Sequence, residues 1–221
     1  MKKLSVKELF ALDNTIAKPL LEKITYPWEA LPLIKDFILE LGKNLPESEY
    51  YSPSDGVWIA KSASVAPSAV INAPCIVGKE AEIRHCAFIR GSAIVGNGAV
   101  VGNSCELKNC ILFDKVQVPH FNYVGDSILG FKSHIGAGAI TSNIKSDKTG
   151  VSVIFENQKI PTGLRKMGAI LGDEVEVGCN SVLNPGTIIG KNSNVYPLSS
   201  VRGYVPQKHI FKSQSSVIPK K

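Results

Sequence analysis

Between residues 119 and 143 the chain reads PHFNYVGDSILGFKSHIGAGAITSN, which places His120 three positions before Tyr123 and ends a glycine- and alanine-rich run at Asn143. Histidine titrates near neutrality, so a well-placed His120 has the chemistry of a general base. Upstream, Arg90 and Lys108 each directly follow an aliphatic residue, Ile89 and Leu107, and stand 18 residues apart. If the chain returns on itself at that interval, the two cations stack about 4.8 Å apart, the spacing of hydrogen-bonded strands. They then repel unless an anion lies between them. A phosphate meets that demand, with arginine offering a fork and lysine a point charge. From the residues alone, an inert corner histidine and two solvated surface cations would read the same way. The elements that carry these residues decide.

A hydrophobic residue recurs every sixth position at Val65, Ile71, Val77, Ile83, Ile89, Val95, Val101, Leu107 and Phe113. The phase slips by one to Val118 and Val124, just before and after Pro119, and slips again to Leu129 and Ile135. It returns at Leu171, Val177, Leu183, Ile189, Val195 and Val201. A period of six matches neither a helix nor a lone strand. It matches a parallel β-helix, in which each hexad forms one flat side of a coil and the repeated aliphatic points inward. A phase slip disturbs regular pairing, so it marks a place where side chains are re-aimed.

Residues 1–50 do not repeat. Trp28, Leu31, Ile34, Phe37, Ile38 and Leu41 follow helical spacing, which predicts an amphipathic helix over 28–45. That helix is expected to fold back as a cap on the open end of the solenoid, with the polar 46–56 stretch as a linker. Residues 57–211 form the solenoid, interrupted by an insertion at 141–168 whose VSVIF segment predicts a hairpin turning at Glu156-Asn157-Gln158. The basic stretch 212–221 reads as a tail, either frayed or ordered against a neighbouring subunit.

The chain of 221 residues has low aromatic content (7%), and no apolar run approaches the length of a membrane span. The N-terminus MKKLSVKELF lacks a signal-peptide core, which predicts a cytoplasmic protein. Five scattered cysteines with no CxxC pair read as reduced core filler, and a metal site is not expected. The net charge of +6 admits nucleic acid, but the interleaved aromatic and basic pattern of single-strand binders is missing. Anionic small molecules account for the excess equally well.

The segment GNSCELKNCILFDKVQVPHFNYVGDSILGFKSHIGAGAITSN resembles the acetyltransferase half of the bacterial bifunctional N-acetylglucosamine-1-phosphate uridyltransferase/glucosamine-1-phosphate acetyltransferase family. The pattern H-x-x-Y-[LV]-G-D followed by I-G-A-G-x-I-T-x-N carries the likeness. It runs without gaps from about Arg90 to Asn143 and more loosely to about Pro206. The resemblance implies a left-handed parallel β-helix and a homotrimer with active sites between subunits. It further implies acetyl-CoA as co-substrate and no catalytic metal. His120 would be the general base, and Arg90, Lys108 and Tyr123 would hold the sugar phosphate. Asn143 would lie beside the acetyl group, and the Ala137 amide would stabilise the oxyanion. Cys179, Pro197 and Leu198 would fall along the coenzyme. The chain departs from the family at His134, where a sugar-binding asparagine is usual, and at Ile144 and Cys179. The longer insertion leaves the phosphate-binding lysine to be assigned, and Lys148 is the choice here.

The G-x-G-T-R-M loop of the family's nucleotidyltransferase domain does not occur in this sequence. The expected activity is therefore N-acetylation of an aminosugar 1-phosphate without nucleotidyl transfer, with a separate nucleotidyltransferase as a possible partner. Two other readings stay open: a non-catalytic β-helix that binds a sugar nucleotide or scaffolds a partner protein, and an acetyltransferase for a nucleotide-linked aminosugar. Neither nucleic acid nor membrane is expected as a partner.

Overall fold

A computed structural model describes residues 1–220. The repeat forms the left-handed parallel β-helix expected, with a short helical N-terminal segment and an inserted hairpin. Each coil has three faces. The first-face strands begin with Val57–Ala60 and continue through Cys75–Val77, Ala93–Val95, Ala169–Leu171 and Thr187–Ile189 to Tyr204–Val205. The second face runs from Ser64–Val65 through Val100–Asn103, Gln117–His120 and His134–Ile135 to His209–Ser213. The third face includes Val70–Ile71, Phe88–Ile89, Ile140–Thr141, Val182–Leu183 and Ser200–Val201. Two longer strands, Glu106–Leu112 and Tyr123–Leu129, run from the third face into the first.

Those two strands are where the repeat loses a residue. Leu112 pairs with Val95 and with Leu129, so the inward position is Leu112 rather than the expected Phe113. Phe113 lies past the strand end and packs against Phe10 with ring centroids 4.9 Å apart. The first slip therefore falls at the corner of Asn109, between Leu107 and Leu112, and not just before Pro119, while the second falls at the corner of Asp126, between Val124 and Leu129, as expected. Both corner residues have positive φ (49° and 47°), a conformation that Asn and Asp adopt more readily than most side chains.

The N-terminal segment does not sit over the open end. It lies along the first face, and the reason is a second ladder. Ile76, Ile94, Ile111, Ile128, Ile170 and Ile188 are register partners that precede the inward residues and so point outward. All are at most 1% exposed. The helix Ile34–Gly42 packs on the early strands of this face, and the 3-10 turns Pro27–Leu33 pack on Tyr123–Leu129. Pro32 lies within those turns, which occupy the first part of the helix expected from 28. Main-chain bonds fix the rest: the Asp114 amide donates to Asn14 O (3.0 Å), the Asp173 amide to Leu9 O (3.1 Å), and the Ala11 amide to Asp173 Oδ2 (2.7 Å).

The solenoid ends are closed by hairpins. Tyr50–Ser54, in the stretch expected to be linker, pairs antiparallel with Val57–Ala60. Ser216–Pro219, in the expected tail, pairs antiparallel with His209–Ser213. Each antiparallel partner covers an edge that would otherwise present free N–H and C=O groups. The insertion hairpin forms as expected, Ser152–Phe155 against Gln158–Pro161, with Glu156 and Asn157 both at positive φ. Val151, Val153 and Phe155 are buried, and Phe155 meets Tyr204 edge-on at 5.3 Å. No helix among the described residues is long and apolar enough to cross a membrane.

Ile111→Ala removes a fully buried rung of the outward ladder. Chemical denaturation should show a loss of about 2–5 kcal/mol. A loss near zero would mean that the N-terminal segment does not depend on the ladder.

Candidate active site

The third face is bounded by two edges, and the candidate residues divide between them. His120, Ala137, Cys179 and Pro197 follow one another, coil by coil, along the edge shared with the second face. The Gly138 amide donates to His120 O (3.0 Å), the Asn180 amide to Ala137 O (2.8 Å) and the Leu198 amide to Cys179 O (2.9 Å). Phe121, Gly138, Asn180 and Leu198 all turn this corner at positive φ (53–71°). Asn122, which is 3% exposed, locks the corner. Its Nδ2 donates to Gly136 O (2.8 Å) and Ala139 O (2.9 Å), and its Oδ1 accepts from the His120 amide (3.0 Å). The main chain of His120 is thereby fixed while its exposed imidazole makes no hydrogen bond among the described residues. The Ala137 N–H likewise donates to no acceptor among the described residues, as an oxyanion donor must be free to do. Leu198 is 80% exposed, and the Cys179 thiol is exposed.

Arg90 and Lys108 occupy the opposite edge, shared with the first face. Ile89 pairs with Leu107, and the Arg90 amide donates to Leu107 O (2.8 Å), so the two cations stand on adjacent coils as expected. Each is held by a carboxylate. Arg90 Nη1 donates to Glu106 Oε1 at 2.7 Å, and Lys108 Nζ lies 3.1 Å from both oxygens of Asp126. Stacked like charges repel, and in the chain alone these carboxylates relieve that repulsion.

Asp126 is the centre of this edge. It is 4% exposed, and besides Lys108 it accepts from Asn109 Nδ2 (2.8 Å) and Asn143 Nδ2 (2.5 Å). Burial of a carboxylate is tolerated when charge-assisted hydrogen bonds surround it. Asn143 Nδ2 also donates to the Tyr123 hydroxyl (3.1 Å), so Tyr123 and Asn143 are brought together. The tyrosine ring lies along its own strand above Gly125, where a Cβ would come within 2.3 Å of the hydroxyl. Burial, then the Asp126 charge, push the Tyr123 phenol up from its ordinary pKa, while the Asn143 bond opposes them. The hydroxyl therefore stays protonated at neutral pH and can donate.

Two candidates lie elsewhere. His134 points from the second face, with Nδ1 2.8 Å from Glu176 Oε2, and joins neither edge. Lys148 is exposed in the turn that starts the insertion, at φ 58°. Sequence reading gave no role to Glu106, Asn109, Asn122 or Asp126. Asp126 was within reach as the aspartate of the G-D pair. Among the described residues, no group of three or more His, Cys, Asp or Glu side chains is placed to hold a metal ion.

Residues 71–151 match the family of the GMPPB C-terminal domain. The bifunctional sugar-1-phosphate nucleotidylyltransferase/acetyltransferase of Sulfurisphaera tokodaii is 34% identical over 109 residues, 49% of this chain and 27% of that protein. Over its repeats, the chain is similar to the bifunctional nucleotidylyltransferase/acetyltransferases. It spans little more than a quarter of that relative's length. The uncharacterized acetyltransferase YaiX of Escherichia coli O6:K15:H31 is 28% identical over 210 residues, 89% of this chain and 91% of that protein. The acetyltransferase domain of PglB from Neisseria gonorrhoeae FA1090, solved in complex with acetyl coenzyme A, covers 74% of this chain and 57% of that one. Its sequence identity is 16% and its TM-score 0.33.

Gly125→Ala should drive the Tyr123 ring off its strand and break its contact with Asn143, with a stability loss of about 1–3 kcal/mol from overpacking. A crystal structure of the variant checks this directly. A ring still seated on Asn143 would mean that the glycine is not what positions it.

Proposed function

We propose that the chain transfers an acetyl group from acetyl-CoA to the amine of an aminosugar 1-phosphate. The observation that carries this reading is the Asp126 network, which holds Lys108, Asn143 and, through Asn143, Tyr123 on one edge of the face that His120 borders on the other. A purely structural corner has no use for a buried carboxylate with one lysine and two asparagines around it. The likeness to relatives named as sugar-1-phosphate nucleotidylyltransferase/acetyltransferases supports both the acceptor class and the group transferred.

In this reading the sugar phosphate joins Arg90 and Lys108. Glu106, on the more exposed of the two ion pairs, is the carboxylate that gives way. The Tyr123 hydroxyl, kept protonated, donates to the acceptor. The amine attacks the thioester carbonyl, and the Ala137 amide takes the developing oxyanion. His120 accepts the amine proton as the N–C bond forms. Collapse breaks the C–S bond, and the proton passes to the departing thiolate. No acyl-enzyme is needed, so the exposed Cys179 serves as a coenzyme contact with Pro197 and Leu198 and not as a nucleophile. The acceptor amine and its phosphate sit on neighbouring ring carbons, whereas His120 and the Arg90/Lys108 pair border opposite edges of one face. A homotrimer that brings one subunit's edge beside the next is the arrangement that closes such a site. Lys148, exposed in the turn that starts the insertion, would contribute in that assembly.

Thiol release from acetyl-CoA should be seen with glucosamine-1-phosphate or galactosamine-1-phosphate and not with glucosamine-6-phosphate. His120→Ala should lower turnover at least about 100-fold with the oligomer intact. Unchanged turnover would remove His120 as the base. Lys108→Ala should raise KM for the sugar phosphate about tenfold or more, as expected for loss of one charge-assisted contact. A change confined to the KM for acetyl-CoA would contradict the phosphate role.

A further inference from the structure

Three cations meet where the insertion leaves the last coils. Lys145 and Arg202 line two adjoining cavities, of about 260 Å³ and 170 Å³, that share Pro185 as a wall. Lys159, on the second strand of the insertion hairpin, closes the smaller one. Only Lys145 has a carboxylate nearby, Asp147 at 3.2 Å. Arg202 donates from Nη2 to the neutral Asn184 Oδ1 at 3.2 Å. Neither Arg202 nor Lys159 has a carboxylate partner among the described residues. This contrasts with Arg90 and Lys108, each of which is neutralised.

The place is built and not a loose surface cluster. Gly186 and Gly203, both at φ 81°, let the hairpin backbone press onto the coil corners, where a Cβ would come within 2.6 Å of Ser152 O and 2.9 Å of Ile154 O. The hairpin is anchored by buried Val153 and Phe155, so Lys159 is carried on a fixed element. Arg202 stands in the same edge column as Lys108, four coils further on through Gly125, Ser142 and Asn184. At about 4.8 Å per coil that is about 19 Å, too far for one phosphate to touch both. Arg202 and Leu198 also flank the same strand, Ser200–Val201, from its two ends.

We propose that Lys145, Lys159 and Arg202 form a second anion site, which takes a phosphate or diphosphate group of a nucleotide-type ligand. Lys159 and Arg202, two cations without carboxylate partners among the described residues, in a walled cavity beside the Lys145–Asp147 pair favour a multiply charged oxyanion, and the arginine supplies the fork for it. Under the acetyltransferase reading, on which this assignment of the ligand rests, that group belongs to the coenzyme. Its nucleotide end would lie at the level of Leu198 and Arg202 while its thioester reaches Ala137. A diphosphate on the acceptor sugar has the same chemistry and is the other source.

The test is calorimetric binding of three probes, inorganic pyrophosphate, adenosine 3′,5′-bisphosphate and glucosamine-1-phosphate, to the full chain. Arg202 and Lys159 are both exposed, so the Arg202→Ala/Lys159→Ala double variant should melt like the parent. A Lys108→Ala chain serves to remove the first phosphate site. In that background pyrophosphate should still bind, and adding the double substitution should weaken it at least tenfold. A matching loss for the bisphosphate assigns the site to the coenzyme, and a loss confined to pyrophosphate assigns it to an acceptor diphosphate. Binding of all three probes unchanged by the double substitution overturns the site, as does pyrophosphate failing to bind the Lys108→Ala chain. Thiol release by the parent is read separately. Thiol release with no second anion site sinks this inference alone, and a second anion site with no thiol release sinks the catalytic reading alone.

Discussion

Main-chain hydrogen bonds between successive coils, with N···O distances mostly near 2.8–2.9 Å, hold a register offset of 17 or 18 residues over most of the solenoid, 42 across the insertion and 16 at the last coil. Everything local is then copied along the axis, because a residue's neighbours above and below are fixed by that offset and not by its own side chain. Inward aliphatics meet aliphatics, and corner residues with positive φ meet their like. The same rule forces like charges together, as at Arg90 and Lys108. Carboxylates at Glu106 and Asp126 are a condition for the stack to exist without ligand.

Where the offset drops from 18 to 17, the corner tightens and its side chains change use. Asn109 and Asp126 sit at the two shortened corners, one above the other, and Asn109 donates to Asp126. An aspartate suits both demands at this point. It tolerates the left-handed conformation, and its short side chain turns back into the groove between coils, where Lys108, Asn109 and Asn143 converge. A regular corner would leave that carboxylate in solvent. The irregularity of the repeat and the polar centre of the site are thus one feature.

The repeat was legible because six-residue periodicity is set by the coil itself, and the inserted hairpin was legible because Glu156-Asn157 is a turn between β-rich runs. The first slip is expected between Phe113 and Val118 and lies one hexad earlier, between Leu107 and Leu112, because Phe113 is apolar and keeps the six-residue phase while Leu112 takes the paired position. The outward ladder was written in CIV, AIV, CIL, SIL, AIL and TII, each with an isoleucine at the middle, outward position where a solvated face would carry a polar residue. Its partner could not be read, since an amphipathic segment announces that it will be covered but not by which surface. The candidate residues were found by type and motif. Their carboxylate partners were not, because pairing across coils depends on which way each side chain leans.

The covered ladder also bears on where function can reside. The N-terminal segment and the insertion hairpin take the first face out of contact with solvent. The second face presents a column of Ser64, Glu82, Gln117, His134, Glu176 and Asn194, broken by the nearly buried Val100. A polar column of this kind is compatible with water and asks for no partner. The third face carries Val70, Phe88, Glu106, Tyr123, Ile140 and Val182 in register, a mixture of exposed apolar groups and the ion-paired, hydrogen-bonded residues of the site. Apolar surface beside a polar cluster is the composition of a surface that is covered in use, by ligand, by a second chain or by both. By burying one face with its own N-terminus and solvating another, the chain leaves a single face, with its two edges, for chemistry.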